Sequence, residues 1–171
     1  MFQIGEFIFY GLQGVCKVVD IGHPGFSGVP KDKLYYTLEP AKCPGDKIFT
    51  PVDNTKTVIR PIISKDEAMK LIDGMDELET FEIPDERKRE FYYKNAIKKC
   101  DCEELVKIIK TTYLRKKSRN AAGKKAIADD EKYFKIAEDT LYGELAVALE
   151  MDPESVKRFI LERMKETEAA G

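Results

Sequence analysis

The sequence predicts an α+β fold in which a small antiparallel β barrel precedes an all-α helical bundle. Up to about residue 62, short runs of β-branched and aromatic residues alternate with loops rich in glycine and proline, which is typical of strands joined by tight corners. Beyond that point apolar residues recur at helical spacing instead. Capping and terminating residues divide this second part into about five helices.

The strand signals of the first part are spaced closely enough for a barrel. Gly11 and Gly14 flank the first turn, where a hairpin requires positive φ. Several short strands joined by glycine-rich corners are typical of a strongly bent antiparallel barrel. The predicted strands cover residues 7–10, 15–21, 34–38, 47–50 and 57–60.

Helix boundaries in the second part follow from local capping patterns. Ser64 and Glu67 form a capping box before the first helix, and Asp101 and Glu104 repeat the pattern before the third. Gly123 is expected to end the third helix.

The second helix is predicted over about residues 85–99, opened by Pro84, with Phe91 facing the core. The same spacing turns Tyr113 of the third helix inward. A long fourth helix begins near Asp129, and a fifth follows Asp152-Pro153.

Length and composition bound the class of protein. The chain has 171 residues, of which 43% are hydrophobic and 35% charged, enough for two small domains predicted at 1–62 and 63–171. No apolar run approaches the roughly 20 residues of a membrane span, and a secretory signal is not apparent. We therefore expect a cytoplasmic protein, without a membrane partner, whose four cysteines are free thiols.

Charge is distributed in blocks. Residues 62–83 carry two lysines against seven acids, a net charge of −5, and residues 126–171 carry six cations against twelve acids, a net charge of −6. Between them, residues 84–125 carry fourteen lysines and arginines against six acids, a net charge of +8. A basic block favours a polyanionic partner, although charged helix surfaces are also ordinary.

Signals for catalysis are weak. His23 is a lone loop histidine, and the Cys100–Cys102 pair lacks further ligands at zinc-site spacing. The carboxylates lie on polar helix faces with no sign of burial, and phosphate-binding and nucleophile-elbow motifs are not found. The sequence therefore predicts a binding protein and not an enzyme, with no cofactor, metal or small-molecule substrate.

Nucleic acid is the predicted partner of the basic block, because clusters of cations at helix ends can reach phosphates across a groove. The aromatic run Phe91-Tyr92-Tyr93 is expected to pack, but a ring left outside, for which we select Tyr92, could press on a minor-groove base step. The candidate phosphate-contacting residues are Arg87, Lys88, Arg89, Arg115, Lys116, Lys117, Arg119, Lys124 and Lys125.

The sequence resembles the CarD-like family of bacterial transcription regulators over nearly its whole length. The segments that carry the resemblance are FQIGEFIFYGLQGVCKVVDI (2–21), IFTPVDN (48–54), FYYKNAIKKCDCEELVKIIKTTYLRK (91–116) and DEKYFKIAEDTLYGELAVAL (130–149). The last of these is long and fairly specific.

The resemblance implies a Tudor-like RNA-polymerase-interacting domain, shared with transcription-repair coupling factors, that binds the lobe of the polymerase β subunit. It also implies a helical domain that contacts promoter DNA and stabilises the open complex, in a protein associated with the nucleoid through polymerase. The implied polymerase-binding residues are Lys47, Phe49 and Pro51, and Lys132 matches a basic family position near DNA.

Two departures from the family pattern affect these expectations. The family wedges a tryptophan into the minor groove, whereas this chain has no tryptophan, so Phe91, Tyr92 or Tyr93 would have to replace it. Phe49 stands where the family often has an arginine, so docking on polymerase is expected to be more apolar.

Two other functions compete with this one. The first is nonspecific nucleic-acid binding without polymerase contact. The second is a Tudor-type reader of modified side chains, which would need an aromatic cage.

Overall fold

The computed structural model describes residues 1–170. Backbone contacts divide the chain into two compact units, the first ending at Ile62 and the second beginning at Ile63. Gly171, the last residue of the predicted helical domain, lies outside the described residues. In residues 1–170 the chain forms five strands followed by five α-helices, which confirms the α+β prediction.

The N-terminal unit is one antiparallel sheet of five strands. The strands are β1 (Phe7–Tyr10), β2 (Gly14–Gly22), β3 (Tyr35–Pro40), β4 (Ile48–Pro51) and β5 (Ile59–Pro61). Each predicted strand is present, β1 with the predicted ends and the others with ends shifted by one or two residues. The order of the strands across the sheet is β4-β3-β2-β1-β5. Among the described residues no strand pairing joins β4 to β5, so the hydrogen-bonded sheet is open between them.

One face of this sheet carries the core because side chains alternate between the two faces of a strand. The first turn is a 3-10 segment at Gly11–Gln13, and the positive φ values of Gly11 (45°) and Gly14 (72°) confirm the expected role of these glycines. The register shifts between Val18 and Asp20, which bends β2. The buried core residues of the sheet are Ile8, Cys16, Val18, Tyr36 and Leu38.

The second unit consists of helices around their own core. The helices are α1 (Lys65–Asp73), α2 (Arg89–Lys98), α3 (Cys102–Ala121), α4 (Ala128–Ala148) and α5 (Pro153–Ala170). Short 3-10 segments lie at Met75–Glu77 and Glu86–Lys88. The largest buried side chains of this core are Ile72, Tyr93, Leu105, Ile108, Leu141, Leu145 and Val156.

Most capping predictions hold. The Ser64–Glu67 capping box is present in both directions, and Gly123 follows the end of α3 with a φ of 73°. At α3, Asp101 accepts the Glu103 N–H at 3.2 Å, but Glu104 lies 3.6 Å from Lys99 Nζ instead of completing a box. The prediction of a second capping box is therefore only half right.

The start and the inward face of α2 differ from the prediction. A 3-10 turn capped by Asp85, and not Pro84, begins this region. Phe91 is 59% exposed, whereas Tyr93 is fully buried. Residues two apart on a helix point about 200° away from each other, so burying the Tyr93 ring turns Phe91 to solvent.

The inward assignment of Tyr113 is also wrong, because its side chain is 55% exposed. The buried stripe of α3 runs through Leu105, Ile108 and Thr112, which recur at helical spacing. Tyr113 follows this stripe by one position and therefore turns away from the core.

Candidate functional site

Two of the predicted polymerase-binding residues, Phe49 and Pro51, lie on β4, an edge strand of the sheet, and the third, Lys47, immediately precedes it. Ile48 and Thr50 point toward the core side, as their pairing with Leu38 and Tyr36 requires. Phe49, which pairs with Thr37 on the opposite face, is 39% exposed. The outer face of β4 is therefore accessible at an apolar residue.

The outer edge of β4 presents backbone groups as well. The Val52 N–H donates to the Leu34 carbonyl at 3.1 Å. In an antiparallel pair of strands, residues that hydrogen-bond to the partner strand alternate with residues that do not. Since Val52 bonds to β3, the even-numbered residues of β4 face β3 with their backbone N–H and C=O groups, and the backbone groups of the odd-numbered residues point away from it. Phe49 and Pro51 are odd-numbered residues of β4, and Lys47, just before the strand, is odd-numbered as well. In the part of the chain that the structure describes, no strand pairs with this edge.

A second exposed ring accompanies Phe49. Phe26, in the loop between β2 and β3, packs edge-on against Phe49 with the ring centroids 4.8 Å apart and the ring planes at 84°. Phe26 is 54% exposed. Sequence reasoning did not select Phe26, and its position in the glycine-rich GHPGFSG loop was the available signal. Together the two rings form the aromatic pair, a name kept below.

The basic residues of the helical unit are mostly at the surface. In residues 1–170, Lys88, Lys117, Lys124 and Lys125 are exposed and have no ion pair. The other candidates have acidic or carbonyl partners. These contacts are Arg87 with Asp85 (3.3 Å), Arg89 with Asp129 (3.1 Å), Lys116 with Glu131 (3.3 Å), Lys132 with Glu90 (3.7 Å) and Arg119 Nε with the Lys125 carbonyl (2.7 Å).

Ion pairs connect the basic residues near the start of α2 with those of α3 and α4, which are far away in sequence. Both terminal nitrogens of Arg115 on α3 donate to Glu86 at 2.8 Å, which joins α3 to the 3-10 segment Glu86–Lys88. The Arg89–Asp129 pair joins the same region to α4. We call the resulting set the basic surface: Arg87, Lys88, Arg89, Lys116, Lys117, Arg119, Lys124, Lys125 and Lys132.

Arg115 differs from the other predicted phosphate-contacting residues. Its Nε donates to Oδ2 of Asp130 at 2.9 Å, and the Tyr93 hydroxyl donates to Oδ1 of the same carboxylate at 2.6 Å. The Arg115 hydrogen bonds hold the pKa of Glu86 below its usual range. Burial, reinforced by Asp130, raises the pKa of Tyr93. Arg115 is thus the centre of an intramolecular network.

The expectation that no carboxylate is buried is wrong for two residues of α4. Asp130 is 1% exposed and Glu144 is fully buried. Glu144 accepts the Ile63 N–H at 2.9 Å and lies 3.1 Å from the Cys102 sulfur. Both acids fall on the stripe that also contains Tyr133, Ala137 and Leu141, and this helical spacing was the signal for their burial.

Within the described residues, the four cysteines form no disulfide. Cys16, Cys100 and Cys102 are buried, and Cys43 is exposed. The described residues contain no cluster of three or more histidine, cysteine or acidic side chains that could bind a metal ion.

The aromatic run of α2 divides between the core and the surface. Tyr93 packs against Phe81 and Tyr133 with centroids 5.7 and 5.3 Å apart. Phe91 stands edge-on to the half-buried Tyr92 at 5.8 Å. The expectation that all three rings pack is therefore wrong for Phe91, which follows Arg87 and Lys88 by four and three positions.

A helix that crosses a membrane must be both long and apolar. Across the described residues, no helix reaches the combination of length and apolarity needed to cross a membrane.

The N-terminal unit thus combines an unpaired strand edge with an exposed pair of rings, features that favour a protein partner. Residues 2–63 match the family model of the CarD-like/TRCF RID domain. This part of the chain is therefore a CarD-like RNA-polymerase-interacting domain, and RNA polymerase is the partner that its family indicates. A comparison with curated proteins finds no match.

Proposed function

We propose that this protein is a bacterial transcription regulator that bridges the polymerase β subunit and promoter DNA, and thereby stabilises the open complex. The observation that carries the proposal is the polymerase-interacting domain at residues 2–63, followed in the same chain by a helical unit with a strongly basic block. In the cell, such a protein would be cytoplasmic and associated with the nucleoid through polymerase.

The N-terminal unit would bind the β lobe through β4. A strand of the lobe pairs with the outward N–H and C=O of Phe49, which is the usual way that a sheet edge captures an extended segment. The aromatic pair then packs on an apolar part of the lobe, with Lys47 and Pro51 on either side of Phe49. In this proposal the bent sheet is a partly open form of the Tudor-like barrel that the family resemblance implies, with the β4 edge left unpaired for the lobe.

The helical unit would contact DNA through the basic surface. Lysines without an intramolecular partner break no ion pair when they meet a phosphate, so Lys88, Lys117, Lys124 and Lys125 are the strongest contributors. Each phosphate contact releases counterions, and DNA affinity therefore falls steeply as salt rises.

Phe91 would take the place of the family's tryptophan wedge. It is exposed, follows Arg87 and Lys88 by four and three positions, and stands edge-on to the Tyr92 ring. An apolar ring can enter between base steps and kink the duplex toward the major groove. Phenylalanine lacks the indole N–H and is smaller, so the stabilisation of the open complex is weaker than a tryptophan would provide.

The polymerase contact is tested with Phe49→Asp in the full chain, by pull-down with the isolated β lobe. A charge placed on an apolar, pairing edge should abolish lobe binding and leave DNA binding by the helical unit unchanged. Val58→Asp is the matched control, because Val58 is 41% exposed and precedes β5 at the other edge of the sheet. Undiminished lobe binding by a folded Phe49→Asp variant contradicts docking through β4.

The DNA contact is tested with the triple variant Lys117→Glu, Lys124→Glu and Lys125→Glu. Promoter-fragment affinity should fall, and the slope of log affinity against log salt should become shallower by about 2 to 3, near 0.9 for each phosphate that is no longer neutralised. The control reverses Lys157, Arg158 and Lys165 on α5, which changes the net charge equally. Equal decreases of affinity in both variants would show that overall charge, and not the basic surface, governs binding.

A measurement of open-complex lifetime on a polymerase–promoter complex separates the proposal from nonspecific nucleic-acid binding. The wild-type protein should lengthen the lifetime, and the Phe49→Asp variant should not. Salt-sensitive DNA binding with no effect of polymerase would select the nonspecific alternative.

A further inference from the structure

We infer that Glu86 and Arg115 are positioning residues for the basic surface: their ion pair holds the segment Glu86–Lys88 in place, and Arg115 does not itself bind phosphate. This inference rests on the proposed DNA contact. It also reverses the role that the sequence indicated for Arg115, and it gives an acidic residue a favourable part in binding a polyanion.

The first support is the geometry of the pair. The two terminal nitrogens of Arg115 meet the two carboxylate oxygens of Glu86 at 2.8 Å each, a parallel arrangement that combines charge attraction with directional hydrogen bonds. The Arg115 side chain is 22% exposed, and that of Glu86 is 57% exposed. The guanidinium is therefore largely covered, and its hydrogen-bonding edges face protein groups.

The second support is the way the Arg115 guanidinium is aimed. Asp130, which is 1% exposed, accepts from Arg115 Nε through one oxygen and from the Tyr93 hydroxyl through the other. With both oxygens engaged, the Asp130 carboxylate cannot rotate without breaking a buried hydrogen bond. Asp130 thus fixes the orientation of Arg115, and Arg115 in turn fixes Glu86.

The third support is that the segment has little structure of its own to hold it. Glu86–Lys88 is a single 3-10 turn, and such short segments take their position from their surroundings. Backbone hydrogen bonds close the turn itself, such as that from the Lys88 N–H to the Asp85 carbonyl at 2.9 Å. Its contacts with α3 and α4 are made by side chains: besides the Glu86–Arg115 pair, Arg89 donates to the Glu86 carbonyl at 2.8 Å and pairs with Asp129 on α4. Without the Glu86–Arg115 pair, the turn that carries Arg87 and Lys88 would lose its contact with α3.

Positioning and simple charge predict opposite signs for Glu86→Gln. If charge alone mattered, removing an acid beside the basic surface would raise DNA affinity. If the ion pair positions the segment, affinity should instead fall by about two- to fivefold, the range that such a pair supplies. Glu82→Gln is the matched control, because Glu82 is exposed, lies in the same linker and has no ion pair within the described residues.

Arg115→Lys keeps the charge and removes the paired geometry. It should weaken DNA binding at least as much as Glu86→Gln does, because it also removes the Arg115 contact with Asp130. The double variant should be no weaker than Arg115→Lys alone, because both already lack the Glu86–Arg115 ion pair. If Arg115 bound a phosphate directly, the effects of the two substitutions would add, and that result would overturn the inference.

Hydrogen exchange of the free protein provides a readout that does not depend on DNA. The backbone amides of residues 86–89 should exchange faster in Glu86→Gln than in Glu82→Gln, while those of Leu141 and Leu145 in the core should not change. Equal exchange at residues 86–89 would contradict the positioning role.

The outcomes separate this inference from the proposed function. If the wild-type protein shows no salt-sensitive DNA binding, the proposed function fails. If the wild type binds DNA and Glu86→Gln binds as tightly as Glu82→Gln or more tightly, the DNA contact stands and the positioning role is overturned.

Discussion

The Tyr93 hydroxyl donates a 2.6 Å hydrogen bond to Oδ1 of Asp130, so a fully buried ring of α2 is bonded to a buried carboxylate of α4. This bond connects the core to the surface, because Asp130 also receives Arg115, which holds Glu86. The stability of the helical unit and the arrangement of its basic surface therefore depend on the same group of side chains.

Tyr93→Phe should lower the free energy of unfolding by about 1–3 kcal/mol, because it leaves one oxygen of a buried carboxylate without its donor. Urea denaturation followed by circular dichroism measures this change. Tyr113→Phe, at a ring that is 55% exposed, is the control and should have almost no effect. Equal stability of the two variants would mean that the Tyr93–Asp130 bond contributes nothing net.

The stability of the helical unit should fall in acid. Hydrogen bonds from Arg115 lower the pKa of Glu86 from its ordinary value of 4.5, and hydrogen bonds from Arg163 likewise lower the pKa of Asp73. A lowered pKa in the folded state means that the stabilisation is complete above the unfolded-state value and is lost as pH falls through the folded-state value.

Melting temperatures of wild type and Glu86→Gln between pH 6 and pH 3 measure the share that belongs to Glu86. The wild type should be the more stable at pH 6, and the difference should shrink as the pH falls below 4.5. A difference that stayed constant across this range would show that the Glu86 charge does not contribute.

The cysteines should differ sharply in reactivity. Burial raises the pKa of the Cys16 thiol to about 11, and Cys100 and Cys102 are also buried, whereas Cys43 is exposed. With iodoacetamide at pH 8, the native protein should be alkylated at Cys43 alone, and urea should expose the remaining thiols. Rapid labelling of Cys16 in the folded protein, located by mass spectrometry, would contradict its burial.

Gly11→Ala should destabilise the N-terminal unit by about 1–2 kcal/mol. Gly11 has a φ of 45°, which costs a residue with a side chain, and an added Cβ would lie 2.6 Å from Thr57 Cγ2. Gly25→Ala is the control, because Gly25 has no positive φ and open space around its Cα. Thermal unfolding should place Gly11→Ala below both wild type and control; a melting temperature equal to theirs would refute the strain.

Much of the architecture could be predicted because its signals are local. The alternation of buried and less buried residues along β3 and the Ser64–Glu67 capping box each depend on residues a few positions apart, so both can be recognised from the sequence alone. The roles of Gly11 and Gly14 were predictable for the same reason. The faces of α2 were harder to assign, because Phe91 and Tyr93 are similar rings and their neighbours do not show which one the core admits.

By itself, the sequence determined the order of strands and helices, the basic block at residues 84–125 and the family of the first 63 residues. Only the tertiary structure decided that Phe26 meets Phe49, that Tyr93 bonds to Asp130, and that Arg115 binds Glu86, a residue 29 positions away. The physical reason is that these pairings cost chain entropy and form only when packing has already brought their elements together. The sequence alone does not show whether a given lysine or arginine pairs with a carboxylate of the same chain or remains available for a phosphate.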